Sequence, residues 1–161
     1  MNEDQLVEAL ELRKKDKKIE SNRILLKMVE EYPDDAFINY QCAWSFDVLG
    51  EESKAIPFYE RAIKQGLSGK DLEGAILGLG STYRTLGEYE KSTTIFAKGI
   101  ELFPTNRAIQ VFYSMTLYNV NENKKAMEIL LKCLINTTTD SEILNYKKTI
   151  HFYSDKLDEI W

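Results

Sequence analysis

The sequence predicts an all-α protein made of stacked antiparallel helix pairs. Three observations carry this. Apolar residues recur three and four apart along most of the chain, the spacing of one helix face. Breaks are few, with three prolines (Pro33, Pro57 and Pro104) and eight glycines in 161 residues. A pattern of small and large apolar positions also returns along the chain, so the same helix pair is expected to occur several times.

The first unit opens on MNEDQLVEALELRKK. Its early acids suit a helix N-terminus, and the run Arg13 to Lys18 suits the following C-terminus and turn. Ala9 and Leu12 lie on the first helix; Ser21, Leu25 and Met28 lie on the second, which ends before Pro33. In the second unit Cys42, Ala43, Phe46, Leu49 and Gly50 are followed by Ala55, Tyr59 and Ala62. Pro57 falls close to the start of that second helix, where the Ser53 carbonyl loses a bond and a mild bend is expected. The stretch QGLSGKDLEG, bracketed by Gly66 and Gly69, reads as a longer surface link, with a slight hinge as the alternative.

The third unit repeats the second 37 residues on: Leu79, Gly80, Tyr83, Leu86, Gly87, then Ser92, Phe96 and Gly99, closing at Phe103-Pro104. Glu88 and Glu90 sit in the first turn of its second helix. The fourth unit carries Ser114, Leu117, Val120, Ala126, Leu130 and Cys133. After NTTTDSEILNY, with Asp140 or Ser141 as N-cap, Ile143, Tyr146, Ile150, Tyr153, Leu157 and Ile160 predict one helix over about 141–160 with a single apolar stripe. It reads as a capping helix with a polar outer side; a helix–helix dimer seam is the alternative, and a monomer is expected ahead of a dimer. The expected organisation is one domain over 1–161, with repeats at about 2–35, 36–72, 73–106 and 107–140.

The pattern resembles the tetratricopeptide repeat, whose period is 34 and whose signature is W-x₂-L-G-x₂-Y…A-x₃-F…P. The third unit matches best, through Leu79-Gly80-x-x-Tyr83, Gly87, Tyr89, Phe96 and Pro104, with Ser92 and Gly99 where alanines are usual. Glu8 and Tyr113 replace the signature leucine in the first and fourth units. The tryptophan position holds Gln5, Asn39, Ile76 and Gln110. The resemblance implies a right-handed α-solenoid in which the first helix of each pair crosses the second closely. This accounts for a small residue at Ala9, Ala43, Gly80 and Ser114: the helix cost of glycine at Gly80 is offset by the close contact.

The chemistry for other functions is thin. The net charge is −5, with 21 basic and 26 acidic residues, which disfavours nucleic acid or an anionic membrane as partner. The first residues do not read as a secretory signal, and no apolar run approaches the ~20 residues of a membrane span. Cys42 and Cys133 fall among apolar residues at helical spacing and read as small buried hydrophobes, in keeping with a reduced, cytoplasmic setting. The single histidine, His151, falls on a polar face. No spacing suits zinc, no lysine follows the glycines of GLGSTYRTLG as in a P-loop, and no acid pair has an obvious partner. No catalytic residue, metal or cofactor is expected, and the chain reads as not an enzyme.

The resemblance implies instead a protein–protein interaction module that binds along a concave face made by the first helices. The positions it places there include Phe37, Tyr40, Trp44, Asp47, Leu77, Arg84, Val111, Met115 and Tyr118, with Arg13 and Lys14 as a basic end. These are mostly apolar or aromatic, unlike the lysines and asparagines with which the family clamps chaperone C-termini. The expected ligand is an apolar peptide or helix with an acidic group, paired by Arg84 or by Arg13 and Lys14. An RNA-binding helical repeat and a self-associating module are the alternatives, and the groove could instead be filled by the chain's own segment Asp158-Glu159-Ile160-Trp161 or by a second copy.

Overall fold

The computed structural model describes residues 3–161. Helix makes up 77% of it and no strand occurs among the described residues, so the class is all-α. The helices pair in chain order: α1 (Glu3–Lys14) with α2 (Lys18–Glu31), α3 (Ala36–Asp47) with α4 (Glu52–Lys64), then α5 (Gly69–Thr85), α6 (Tyr89–Leu102), and α7 (Arg107–Asn119) with α8 (Asn123–Thr137). Two short helices come last, α9 (Ser141–Asn145) and α10 (Lys147–Tyr153). The chain forms two compact units, one ending at Glu88 and holding α1 to α5, the other beginning at Tyr89 and holding α6 to α10.

The turn within each pair is built the same way four times. Asp16 (φ 61°), Gly50 (φ 71°), Gly87 (φ 78°) and Asn121 (φ 64°) all take the left-handed conformation that ends a helix. The next amide then donates back across the helix end: Lys17 to Leu12 at 2.9 Å, Glu51 to Phe46 at 3.0 Å, Glu88 to Tyr83 at 2.8 Å and Glu122 to Leu117 at 2.9 Å. Glycine adopts this conformation without a Cβ clash, and aspartate and asparagine tolerate it best among the others. The sequence pattern exposed only the two glycine turns.

Turns between repeats have their own device. Asp35 caps α3 by accepting from the Ile38 amide at 2.9 Å, and Asn106 caps α7 by accepting from the Ile109 amide at 3.0 Å. The side chain at the family's tryptophan position then fastens the proline turn: Asn39 donates to the Pro33 carbonyl at 2.9 Å and Gln110 to the Pro104 carbonyl at 2.7 Å. These amides satisfy carbonyls that proline leaves outside any helix, which accounts for polar residues where an aromatic is usual.

The small residues predicted at the helix crossings are buried. Ala9 and Ala43 are fully inaccessible, Ser114 is nearly so, and Gly80 is buried on α5. In the first unit α2 packs on α3, and α4 on α5; in the second, α6 packs on α7. Phe96 of α6 meets Phe112 and Tyr113 of α7 at ring separations of 6.4 and 6.5 Å, beside a buried contact of Ser92 with Thr116 at 3.0 Å.

Two expectations are corrected. The residues around Gly66 to Gly69 are not a long link: α5 begins at Gly69 and runs for 17 residues, so the insertion lengthens a helix. The last segment is not one helix over 141–160. Asp140 caps α9 through the Glu142 and Ile143 amides, both at 3.0 Å, but α9 stops after five residues and α10 after seven. Tyr146, at φ −102° and ψ 10°, stands between them. Its stripe is largely open: Tyr146, Tyr153, Leu157 and Ile160 are exposed, while Ile143 and Ile150 are half-buried.

Candidate functional site

In the first unit the predicted groove residues converge on α1, α3 and α5, whose packing is set by α2 and α4. Arg13, near the end of α1, lays its guanidinium 4.0 Å from the centre of the Trp44 ring on α3. Gln41, one turn earlier on α3, accepts from it twice: through its side-chain oxygen at 2.5 Å and its backbone carbonyl at 3.4 Å. Burial disfavours the charged form of Arg13 and holds its pKa below the usual value. Lys14, by contrast, points to solvent and pairs with Glu11 at 2.7 Å.

Trp44 continues into a row of rings. It stacks on Tyr40 at 6.1 Å, and Tyr40 meets Phe37 edge-on at 6.4 Å and Tyr59 of α4 at 6.2 Å. Exposure divides the row. Trp44 is 42% exposed and Phe37 half-buried, but Tyr40 is only 8% exposed and serves mainly as the floor. Its hydroxyl fills the space over Gly74 on α5, where an added Cβ would overlap it; the Tyr59 hydroxyl does the same over Gly78. Leu77 and Arg84 lie half-buried on α5.

Asp47 has a different place from the one the pattern suggested. It is half-buried and accepts from the Tyr59 hydroxyl at 2.6 Å and from the Thr82 hydroxyl at 3.2 Å, tying α3 to α4 and α5. Burial raises its pKa, and the two hydrogen bonds oppose the rise. Its carboxylate is a strut of the unit. Gln41, Tyr59 and Thr82 were missed as parts of this arrangement. Gly74 and Gly78, one turn apart, were the signal that large side chains come close to α5.

The second unit holds the remaining predicted residues on α7. Met115 is 37% exposed and Tyr118 68% exposed, with Val111 half-buried. Of the residues set aside for chemistry, Cys42 and Cys133 are buried and unpaired, and burial pushes the Cys42 thiol up to about 12. His151 is exposed on α10. Among the described residues no group of three or more His, Cys, Asp or Glu gathers, and no helix is long and apolar enough to cross a membrane.

Successive helix pairs with a left-handed turn inside each pair define a helical-repeat protein of the α-solenoid class. The family model for the tetratrico peptide repeat matches residues 36–157, and the chain belongs to that family. Members are generally protein-interaction scaffolds. Superkiller protein 3 of Saccharomyces cerevisiae is 31% identical over 104 residues, which is 60% of this chain and 7% of that protein. The chain therefore spans only a small part of that curated relative. Among solved structures, MamA (residue 41 to its end) from Desulfovibrio magneticus RS-1 superposes with a TM-score of 0.73 at 13% identity, over 91% of this chain and 84% of that one. YrrB, described as a TPR protein with an unusual peptide-binding site, gives a TM-score of 0.73 at 14% identity, over 96% of this chain and 78% of its own. At these identities the likeness is one of fold.

Proposed function

We propose that the chain is a cytoplasmic protein–protein interaction module that holds an apolar peptide or helix bearing an acidic group against its first helices. The observation that carries this reading is the Arg13–Trp44 pair. Among the described residues no carboxylate lies within ion-pair distance of Arg13, yet stacking on Trp44 and two bonds to Gln41 fix its guanidinium in one orientation. Two of its five N–H donors are used, and the rest are available to a ligand carboxylate. Trp44 beside it offers an open aromatic face, the kind of anchor that dominates interfaces. Leu77 and Phe37 supply further apolar surface in the same unit. The family's general role and the peptide-binding site ascribed to YrrB support the same reading.

The test uses Trp44→Ala combined with Arg13→Gln, which leaves the buried Tyr40 in place. Affinity capture from the native cell, with the unaltered chain as reference, should lose its specific partners while circular dichroism stays helical. Recovery of the same partners at the same yield would refute the site.

A further inference from the structure

The second helix of every repeat carries a large apolar residue near its middle. Leu25, Tyr59, Phe96 and Leu130 hold this position on α2, α4, α6 and α8. The first three are 0%, 2% and 0% exposed, whereas Leu130 is 37% exposed. The neighbouring positions on the same strip behave alike. Asn22 is 9% exposed, Ile56 and Thr93 are half-buried, and Met127 is 46% exposed. Val29 is 6% exposed, Ile63 and Ile100 are half-buried, and Leu134 is 41% exposed.

The difference follows the helix that comes next in the chain. α2, α4 and α6 are covered by α3, α5 and α7, of 12, 17 and 13 residues. The helix after α8 that packs on it is α10, of only seven residues. A helix of about 1.5 Å rise per residue and that length reaches along roughly half of α8. Met127, Leu130 and Leu134, spaced three and four apart, therefore form an open strip over two turns. Lys125, Glu128 and Lys132 project from other sides of the helix, at 100° per residue, so the strip itself is uncharged.

We propose that this open flank of α8 docks an amphipathic helix of a partner protein, which takes the place that the first helix of a further repeat would fill. The argument is continuity. The same three positions receive such a helix in every earlier repeat, and the fold of each repeat shapes them for one. Leu25 is the nearest template, because it is also leucine and is fully buried on α2, which packs against α3. The partner helix thus resembles the α2-facing side of α3 in chemistry: an uncharged contact face with small residues, as where the buried Ser45 accepts from Asn22 of α2 at 2.8 Å. This is helix-in-groove recognition, with anchors at helical spacing. It is separate from the Arg13–Trp44 site and does not depend on it.

The probe is a fluorescein-labelled peptide of residues 35–49 of this chain, titrated into the full-length protein by fluorescence anisotropy. Saturable binding is expected, weakened roughly tenfold or more by Leu130→Lys, weakened less by Leu130→Ala, and within about twofold of the unaltered chain for Lys98→Ala, an exposed residue of α6. Circular dichroism of each variant checks that the fold is kept. Absence of binding, or equal binding to Leu130→Lys and the unaltered chain, overturns the proposal. Sedimentation supplies the remaining outcome. Self-association that Leu130→Lys abolishes, without peptide binding, assigns the flank to a second copy and overturns the partner helix.

Discussion

Gly74 should be replaceable by alanine only when Tyr40 loses its hydroxyl. In α5 the substitution has two opposed effects. Alanine is favoured over glycine inside a helix by about 1 kcal/mol. The new methyl, however, overlaps the Tyr40 hydroxyl oxygen, and the ring carbon behind it stands at 3.1 Å. The ring cannot simply swing aside, because Trp44, Tyr59 and Phe37 pack around it at 6.1, 6.2 and 6.4 Å. Overpacking of this kind costs about 1–3 kcal/mol, so Gly74→Ala alone should destabilise by roughly 0–2 kcal/mol. With Tyr40→Phe the hydroxyl is gone, the nearest atom is the ring carbon at 3.1 Å, and a shift of a few tenths of an ångström relieves it. Gly74→Ala in that background should be neutral or stabilising by up to about 1 kcal/mol. The assay is urea denaturation monitored by circular dichroism on the two single variants, the double variant and the unaltered chain. The expected coupling is on the order of 1–3 kcal/mol. A coupling below about 0.5 kcal/mol, the level of independent sites, would refute the packing argument.

Asp47→Ala should cost about 1–3 kcal/mol, because it strands the buried Tyr59 hydroxyl, whereas Asp47→Asn keeps an acceptor there. The folded pKa of Asp47 is raised, so its stabilising contribution is full below the ordinary aspartate value and is lost as pH rises through the raised value. The stability of Asp47→Asn relative to the unaltered chain should therefore grow with pH across that window in urea titrations, and a flat or inverted trend counts against the buried charge. Asn121→Gly should stabilise by a few tenths to about 1 kcal/mol, while Asn121→Val should destabilise by about 1–2 kcal/mol, since valine resists a φ of 64°; equal melting temperatures for the two would contradict the turn assignment. Both thiols should resist a disulfide reagent at neutral pH until urea unfolds the chain, because Cys42 is pushed up to about 12 and both side chains are buried; rapid labelling of the native protein would count against that burial.

Repetition is what made the fold legible. A position such as Ala9, Ala43, Gly80 and Ser114 carries the same constraint four times, so a substitution in one repeat is corrected by the others. The devices that differ in residue type while doing the same job were harder to see. Asp16 and Asn121 make the same turn as Gly50 and Gly87, but only the glycines signal it. Asn39 and Gln110 bond a proline carbonyl from the position where the family's tryptophan is usual, so in sequence they resemble departures from the pattern. The end of the chain has no counterpart in the array. Its apolar spacing suggested one helix, and nothing in that spacing marked the break at Tyr146.

The candidate site was less legible for the opposite reason: its residues sit where the repeats differ. Arg13, Asp47, Arg84 and Tyr118 occupy one equivalent position on α1, α3, α5 and α7. The pattern can say that this position faces outward, but not what each side chain will meet. Asp47 meets a hydroxyl because its second-helix neighbour is Tyr59; the equivalents Leu25, Phe96 and Leu130 have none to offer. That one oxygen, with Thr82 beside it, turns a surface acid into a strut. Arg13 goes the other way. Its companions are Trp44 and Gln41, neither of which can neutralise a cation, so orientation is fixed while the charge stays unmatched. Equivalent positions in a repeat thus become a strut or an oriented, unmatched charge according to whether the surrounding side chains satisfy the polar group or only hold it in place.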